Sequence, residues 1–187
     1  MNKLLKLAFA VAIAGTPFVA QAVEYQQVVA DKSAIQFTYQ QMGVSMDGNF
    51  RKFASQLKFD PAKLASAKAA IAVDLASIDT GAPEGDQEVA GKTWFNTKTF
   101  PTAQFVSSSV KSLGNNRYEV LGKLTIKGKT QDVIAPATFT PQGNTAVFEG
   151  SFTLRRGDFA IGEGAWSSFD IVANNITVKF RITATGK

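Results

Sequence analysis

Four carboxylates, Asp79, Glu84, Asp86 and Glu88, fall close together in this chain and are its densest group of ionisable side chains. Paired carboxylates can divide general acid and general base work between them, and clustered carboxylate oxygens can hold a hard cation. A calcium loop needs ligands at fixed alternate positions closed by a bidentate glutamate, and this stretch lacks that spacing. Ser107-Ser108-Ser109 supplies hydroxyls, but no Gly-x-Ser-x-Gly elbow exposes a nucleophile. The chain contains neither histidine nor cysteine. The usual neutral-pH base, the thiolate nucleophile and the commonest zinc and copper ligands are therefore all missing. No catalytic residue and no metal site are expected, and binding without chemistry is the function class that remains.

Stepping down to the segments that must position any site, alternation dominates. In 176–184 (ITVKFRITA) every second residue is apolar, the signature of a strand with one wet face. Phe148, Gly150, Phe152 and Leu154 share one face of a second strand. Tyr118, Val120, Gly122, Leu124 and Ile126 share a face of a third, Ile35, Phe37 and Tyr39 of a fourth, and Ile71, Val73 and Leu75 of a fifth. Further strands are expected over 24–30, 46–53, 103–111 and 131–139. Turn signals separate them at Gly114-Asn115-Asn116, Lys127-Gly128-Lys129 and Pro141-Gln142-Gly143-Asn144. Short, regular spacing of this kind predicts an all-β fold, an antiparallel barrel or sandwich, rather than βαβ units. One or two short helices are expected, one started by Asp60-Pro61 and running to about Ala67, the other over 83–90. Periodicity alone leaves a hollow barrel and a filled core equally open, although about eight strands closed into a barrel leave room for one ligand.

The first 22 residues read as a secretory signal peptide. Lys3 and Lys6 supply a positive n-region, Leu4, Leu5 and 7–14 supply the apolar run, and Ala20-Gln21-Ala22 is a small-x-small cleavage site. That run is too short to span a bilayer as a stable helix, and no second one follows, so no integral membrane segment is expected in the mature chain. The domain is placed at 23–187, long enough for one proper core. Lys3 and Lys6 carry two of the formal net +5 charges, and the remaining basic residues are scattered, which does not suggest nucleic acid. Without cysteine there is no lipobox, hence no lipid anchor at the signal junction.

Several segments in order resemble the YceI-like family of polyisoprenoid-binding proteins. They are 37–61 (FTYQQMGVSMDGNFRKFASQLKFDP), 77–81 (SIDTG), 94–110 (WFNTKTFPTAQFVSSSV), 120–133 (VLGKLTIKGKTQDV) and 156–159 (RGDF). The resemblance spans essentially the whole mature chain. It implies an extended, lipocalin-like antiparallel β-barrel of about eight strands whose tunnel holds an isoprenoid lipid or isoprenoid quinone. It further implies an exported, periplasmic protein that acts as a carrier, store or sequestering agent. The chain departs from the family at Gln41-Met42, where many relatives have a histidine. It departs again over 84–92 (EGDQEVAGK), where an Arg-Asp-x-His-Leu type motif is missing. A rival reading is an interaction or stress-response module with a filled core and no cargo. Homodimerisation is a further possibility.

A lipid tunnel needs apolar side chains on inward strand positions and closing loops. Phe37, Tyr39, Phe50, Phe53, Leu75, Ile78, Trp94, Phe95, Phe105, Leu124, Phe152, Phe159 and Trp166 fit that need, each with ordinary core packing as its alternative. Met42, with Met46, flanks the Gly43 turn, where a pliable thioether suits a mouth that admits a flexible chain. Arg155-Arg156 can offer charge to a pyrophosphate or a quinone oxygen. Strand parity with Phe152 and Leu154 nominates Arg156 as the inward one. The opposite parity of Phe159 and Ile161 predicts a bulge near Gly157. A buried arginine would need a partner, Asp158 or Asp170 being nearest in sequence, and a solvated rim is the favoured alternative. No cofactor is expected beyond the bound lipid itself.

Overall fold

A strand with one apolar face is stable only when that face meets another. In the computed structural model, which describes residues 23–187, the apolar faces meet by curling one antiparallel sheet around a shared interior. In chain order the strands are β1 (Tyr25–Val28), β2 (Ala34–Gln41), β3 (Val44–Phe50), β4 (Phe53–Lys58), β5 (Lys68–Asp74), β6 (Ile78–Asp79), β7 (Thr102–Gly114), β8 (Arg117–Ile126), β9 (Lys129–Gln142), β10 (Thr145–Arg155) and β11 (Asn175–Gly186). One α-helix, α1 (Pro83–Ala90), lies between β6 and β7. The antiparallel, barrel-like fold is as expected. The strands number eleven rather than about eight because several are short or interrupted. The segment read as a signal peptide, 1–22, lies outside the described residues.

Neighbouring strands run in the order β4-β5-β7-β8-β9-β10-β11-β2-β3-β6, and β1 adds to the end of β11 beside β2. The sheet curls back on itself at two places. Tyr25 in β1 and Phe59 just after β4 exchange backbone hydrogen bonds of 2.8 and 3.0 Å. At the other end β3 pairs with β6, while Asp74 N–H donates to Lys52 C=O and Arg51 N–H to Ser77 C=O. Those last contacts break the strand expected over 46–53 into β3 and β4, with the chain turning at Arg51-Lys52.

Two-residue hairpins with left-handed residues join β2 to β3 through Met42-Gly43 and β8 to β9 through Lys127-Gly128. That turn chemistry matches the twist of the strands it joins. The helix expected from Asp60 to Ala67 does not form. The Asp60 carboxylate instead accepts from Ala62 N–H at 2.8 Å, closing a turn, and only a short 3₁₀ segment, Leu64–Ser66, follows. The second expected helix is α1, with Pro83 in its first turn and Glu84 and Asp86 placed favourably for its dipole.

One end of the interior is filled. Tyr25, Phe59, Tyr118, Phe139 and Phe148 pack there with ring centroids 5.0–6.3 Å apart, mostly edge to face. Beyond Gly150↔Ala137 the pairing of β10 with β9 stops. Gly150 is needed at that point, because a Cβ there would collide with the Pro136 carbonyl and the Phe180 ring. No helix among the described residues is long and apolar enough to cross a membrane.

Candidate functional site

Between the aromatic plug and α1 the interior is hollow. A wide lobe of about 440 Å³ lies under α1 and the 156–172 loop, and a narrower lobe of about 150 Å³ extends toward the plug. The lobes share the side chains of Ile35, Val73, Ala103, Leu124, Phe152 and Val178, which form a waist between them, so the two lobes adjoin along one interior. On β11 its wall runs from Ile176 to Ile182, roughly 20 Å of strand at about 3.3 Å per residue. Its surface is almost entirely carbon.

Each expected site residue can now be placed. Phe37 and Tyr39 from β2, Phe50 from β3, Leu124 from β8 and Phe152 from β10 line the wide lobe by strand alternation. Leu75 enters it from the turn after β5, Ile78 from β6, Trp94 and Phe95 from the loop after α1, and Trp166 from the closing loop. Phe105 lines the narrow lobe. Three residues lie elsewhere. Phe159 is fully buried in the core behind the wall. Phe53 packs partly on the core and borders an outer groove between 30–36 and 49–53. Met42 sits at the tip of the β2–β3 hairpin, 76 % exposed with a φ of 51°, because the tight turn throws its side chain outward. Sequence reading did not nominate the small and aliphatic lining residues Ala103, Val172, Ile176 and Val178, nor Val89 of α1. The alternation of 176–184 held the signal for two of them, whereas α1 carries no comparable apolar stripe.

The parity argument put Arg156 inside, and it is inside, 1 % exposed, so a solvated rim is ruled out for it. Its partners are not carboxylates. Asp158 lies 4.0 Å from Arg155, and Asp170 accepts from Ser168 Oγ. The Arg156 guanidinium instead donates to six backbone carbonyls, those of Ile161, Gly162, Trp166, Ser168, Val172 and Ala173, at 2.8–3.3 Å. Trp94 and Phe169 rings flank it at 5.3 and 4.8 Å. Burial pushes its pKa down from the ordinary arginine value. The bulge expected near Gly157 is absent. β10 ends at Arg155, a 3₁₀ turn spans Arg156–Phe159, and Ala160 is left-handed. Gly162 approaches the guanidinium so closely that any Cβ would strike Nη1. Arg156 is thus the nail that holds the closing loop over the wide lobe, and its donors are spent on that loop.

The acidic group disperses into separate structural tasks. Asp86 caps the turn before α1, accepting from Thr80 N–H at 2.7 Å and Thr80 Oγ1 at 2.8 Å. Asp79 accepts from Gly81 N–H and pairs with Arg51 at 2.8 Å. The Gly81 N–H, with the Arg51 guanidinium, holds its carboxyl below the usual range. Glu88 accepts from the Trp166 indole N–H at 2.7 Å, tying α1 to the closing loop. Glu84 and Glu88 border the wide lobe. Burial, then the Asp86 charge, pushes the Tyr39 phenol above its ordinary value. Among the described residues no three carboxylates come together as a metal cluster would require.

A curled antiparallel sheet around an apolar interior, closed by one helix and a pinned loop, is a lipocalin-like fold. The particular family is shown by comparison: the YceI-like domain matches residues 26–184, and the chain belongs to that family. It is 31% identical to a UPF0312 protein of Vibrio cholerae serotype O1, over 90% of this chain and 94% of that one. It is 33% identical to a UPF0312 protein of Pseudomonas putida, over 88% and 92%. Among solved structures, Burkholderia cenocepacia BcnA superimposes with a TM-score of 0.83 at 43% identity, covering 85% of this chain and all of that one. A polyisoprenoid binding domain from Saccharophagus degradans, at 14% identity, has a TM-score of 0.69 and covers 88% and 99%, a likeness of fold.

Proposed function

We propose that this protein is an exported binding protein that holds one isoprenoid lipid or isoprenoid quinone in its tunnel, as a carrier, store or sequestering agent and not as an enzyme. The observation that carries this reading is the pair of adjoining apolar lobes, about 440 Å³ and about 150 Å³, whose open surface is almost entirely carbon. Each methylene buried there contributes roughly 0.8 kcal/mol. A chain of several isoprene units therefore gains enough to offset the entropy of capture without any ionic anchor. Membership of the YceI-like family supports the same reading, as does the shared fold of the domain described as polyisoprenoid binding. Export to the periplasm rests on the signal pattern of 1–22.

Native mass spectrometry of the exported protein, with an organic extract analysed beside it, tests the proposal. A stoichiometric isoprenoid, in a chain beginning near Val23, is the expected result. A protein that is empty and takes up no added isoprenoid would overturn it in favour of a cargo-free interaction module.

A further inference from the structure

The rim of the wide lobe is built from side chains that line the lobe and also reach solvent. Tyr39 and Gln41 supply it from β2, Glu84 and Glu88 from α1, and Trp166 from the closing loop. Among the described residues a single side-chain hydrogen bond joins two members of this rim. The Trp166 indole N–H donates to Glu88 Oε1 at 2.7 Å and so bridges the closing loop and α1.

The backbone is fixed on both sides of that bridge. The Trp166 carbonyl accepts from Arg156 Nη2 at 2.8 Å, and Gly162 and Glu163 N–H both donate to the Thr93 carbonyl, at 2.9 and 2.8 Å. α1 is held by Asp86 on Thr80, and Gly85 lies so close that a Cβ there would meet the Thr80 hydroxyl at 2.5 Å. The Trp166 ring is held less firmly. It is half-buried and rests at 5.5 Å and 59° against Trp94, which is itself buried and pressed by the Arg156 guanidinium at 5.3 Å. The movement left at this side of the rim is rotation of the Trp166 side chain, and partly exposed side chains change rotamer far faster than backbones rearrange.

We propose that the Trp166 ring is the gate of the wide lobe and that Glu88 is its latch. With the bond made, the ring spans the gap between the closing loop and α1. With the bond broken, the ring swings toward solvent and the lobe can exchange its cargo. The carboxylate makes the bond stronger than a neutral acceptor would, yet water competes for both partners, so it opens readily. A gate of this kind sets how fast cargo enters and leaves, not how tightly it is held, because the same opening cost is met in both directions. The proposal rests on the isoprenoid reading only for the nature of the cargo.

The test follows the association and dissociation rates of an isoprenoid alcohol, geranylgeraniol, by stopped-flow fluorescence of the chain's two tryptophans, Trp94 and Trp166. Glu88→Ala is expected to raise both rates by about fivefold and to leave Kd unchanged. Trp166→Phe, which keeps a ring and loses the N–H, should do the same. The double variant should add nothing further, since both residues act through one bond. Glu88→Gln keeps an acceptor and should stay near the unsubstituted rates. A rise confined to dissociation makes Trp166 an ordinary wall residue and overturns the proposal, as do unchanged rates. Acrylamide quenching of tryptophan fluorescence in the empty protein supplies a readout without ligand, and it should increase in Glu88→Ala. If geranylgeraniol does not bind the full chain, the isoprenoid reading falls and the quenching alone decides the gate: an increase sustains it, and an unchanged value overturns it.

Discussion

Ala103→Phe distinguishes a hollow interior from a filled one. Ala103 sits at the waist, paired with Val73 across β5 and β7 and shared by both lobes. A phenyl ring there projects into empty space and cuts the narrow lobe from the wide one. The narrow lobe is about 150 Å³. At about 24 cal/mol per Å³ of cavity, denying it to the ligand costs about 3.6 kcal/mol. That is a weakening of a few hundredfold in Kd. The same substitution in a close-packed core would instead destabilise the fold by about 1–3 kcal/mol. Urea unfolding and isoprenoid titration on one preparation therefore give opposite signatures. The expected result is unfolding stability equal to or above that of the unsubstituted protein, with affinity reduced a few hundredfold. Lower stability with unchanged affinity would refute the tunnel geometry, since it would mean that the space at the waist is already occupied.

Two further predictions test the elements that close the tunnel. Arg156→Ala strands six carbonyls in the closing loop; at about 1–3 kcal/mol for each group left dry, and with some of them reaching water, a loss of about 3–5 kcal/mol in urea unfolding is expected. Amide exchange should quicken over 161–173, and Arg156→Lys should restore only part of the loss because an ammonium cannot reach all six acceptors. The Asp79 pKa is depressed in the folded state. Its contribution is therefore present above the unfolded carboxyl pKa and is lost as pH falls through the lower folded value. Unfolding stability followed from pH 6 to pH 2 should show a drop at the acid end that is smaller in Asp79→Asn.

Much of this protein is decided by local rules. Alternation alone placed β2, β8, β10 and β11, because a strand half in water must repeat every two residues whatever its neighbours are. The same rule put Arg156 on the inner face, and the helix signals of Pro83 and its acidic first turn located α1. The lack of histidine and cysteine already argued against most catalysis.

What local rules could not reach depends on residues far apart in the chain. β3 and β4 read as one strand because their break at Arg51-Lys52 is made by Asp74 and Ser77. Arg156 seemed to need a carboxylate because carbonyl acceptors leave no mark in a sequence, and only the fold of 161–173 gathers them. Phe159 and Phe152 look alike as residues, yet one is packed solid and the other faces a void. Alternation says which face is dry, whereas the curl of the whole sheet decides whether the dry faces touch. The hollow, and with it the capacity to hold a ligand, is therefore a property of the tertiary structure alone.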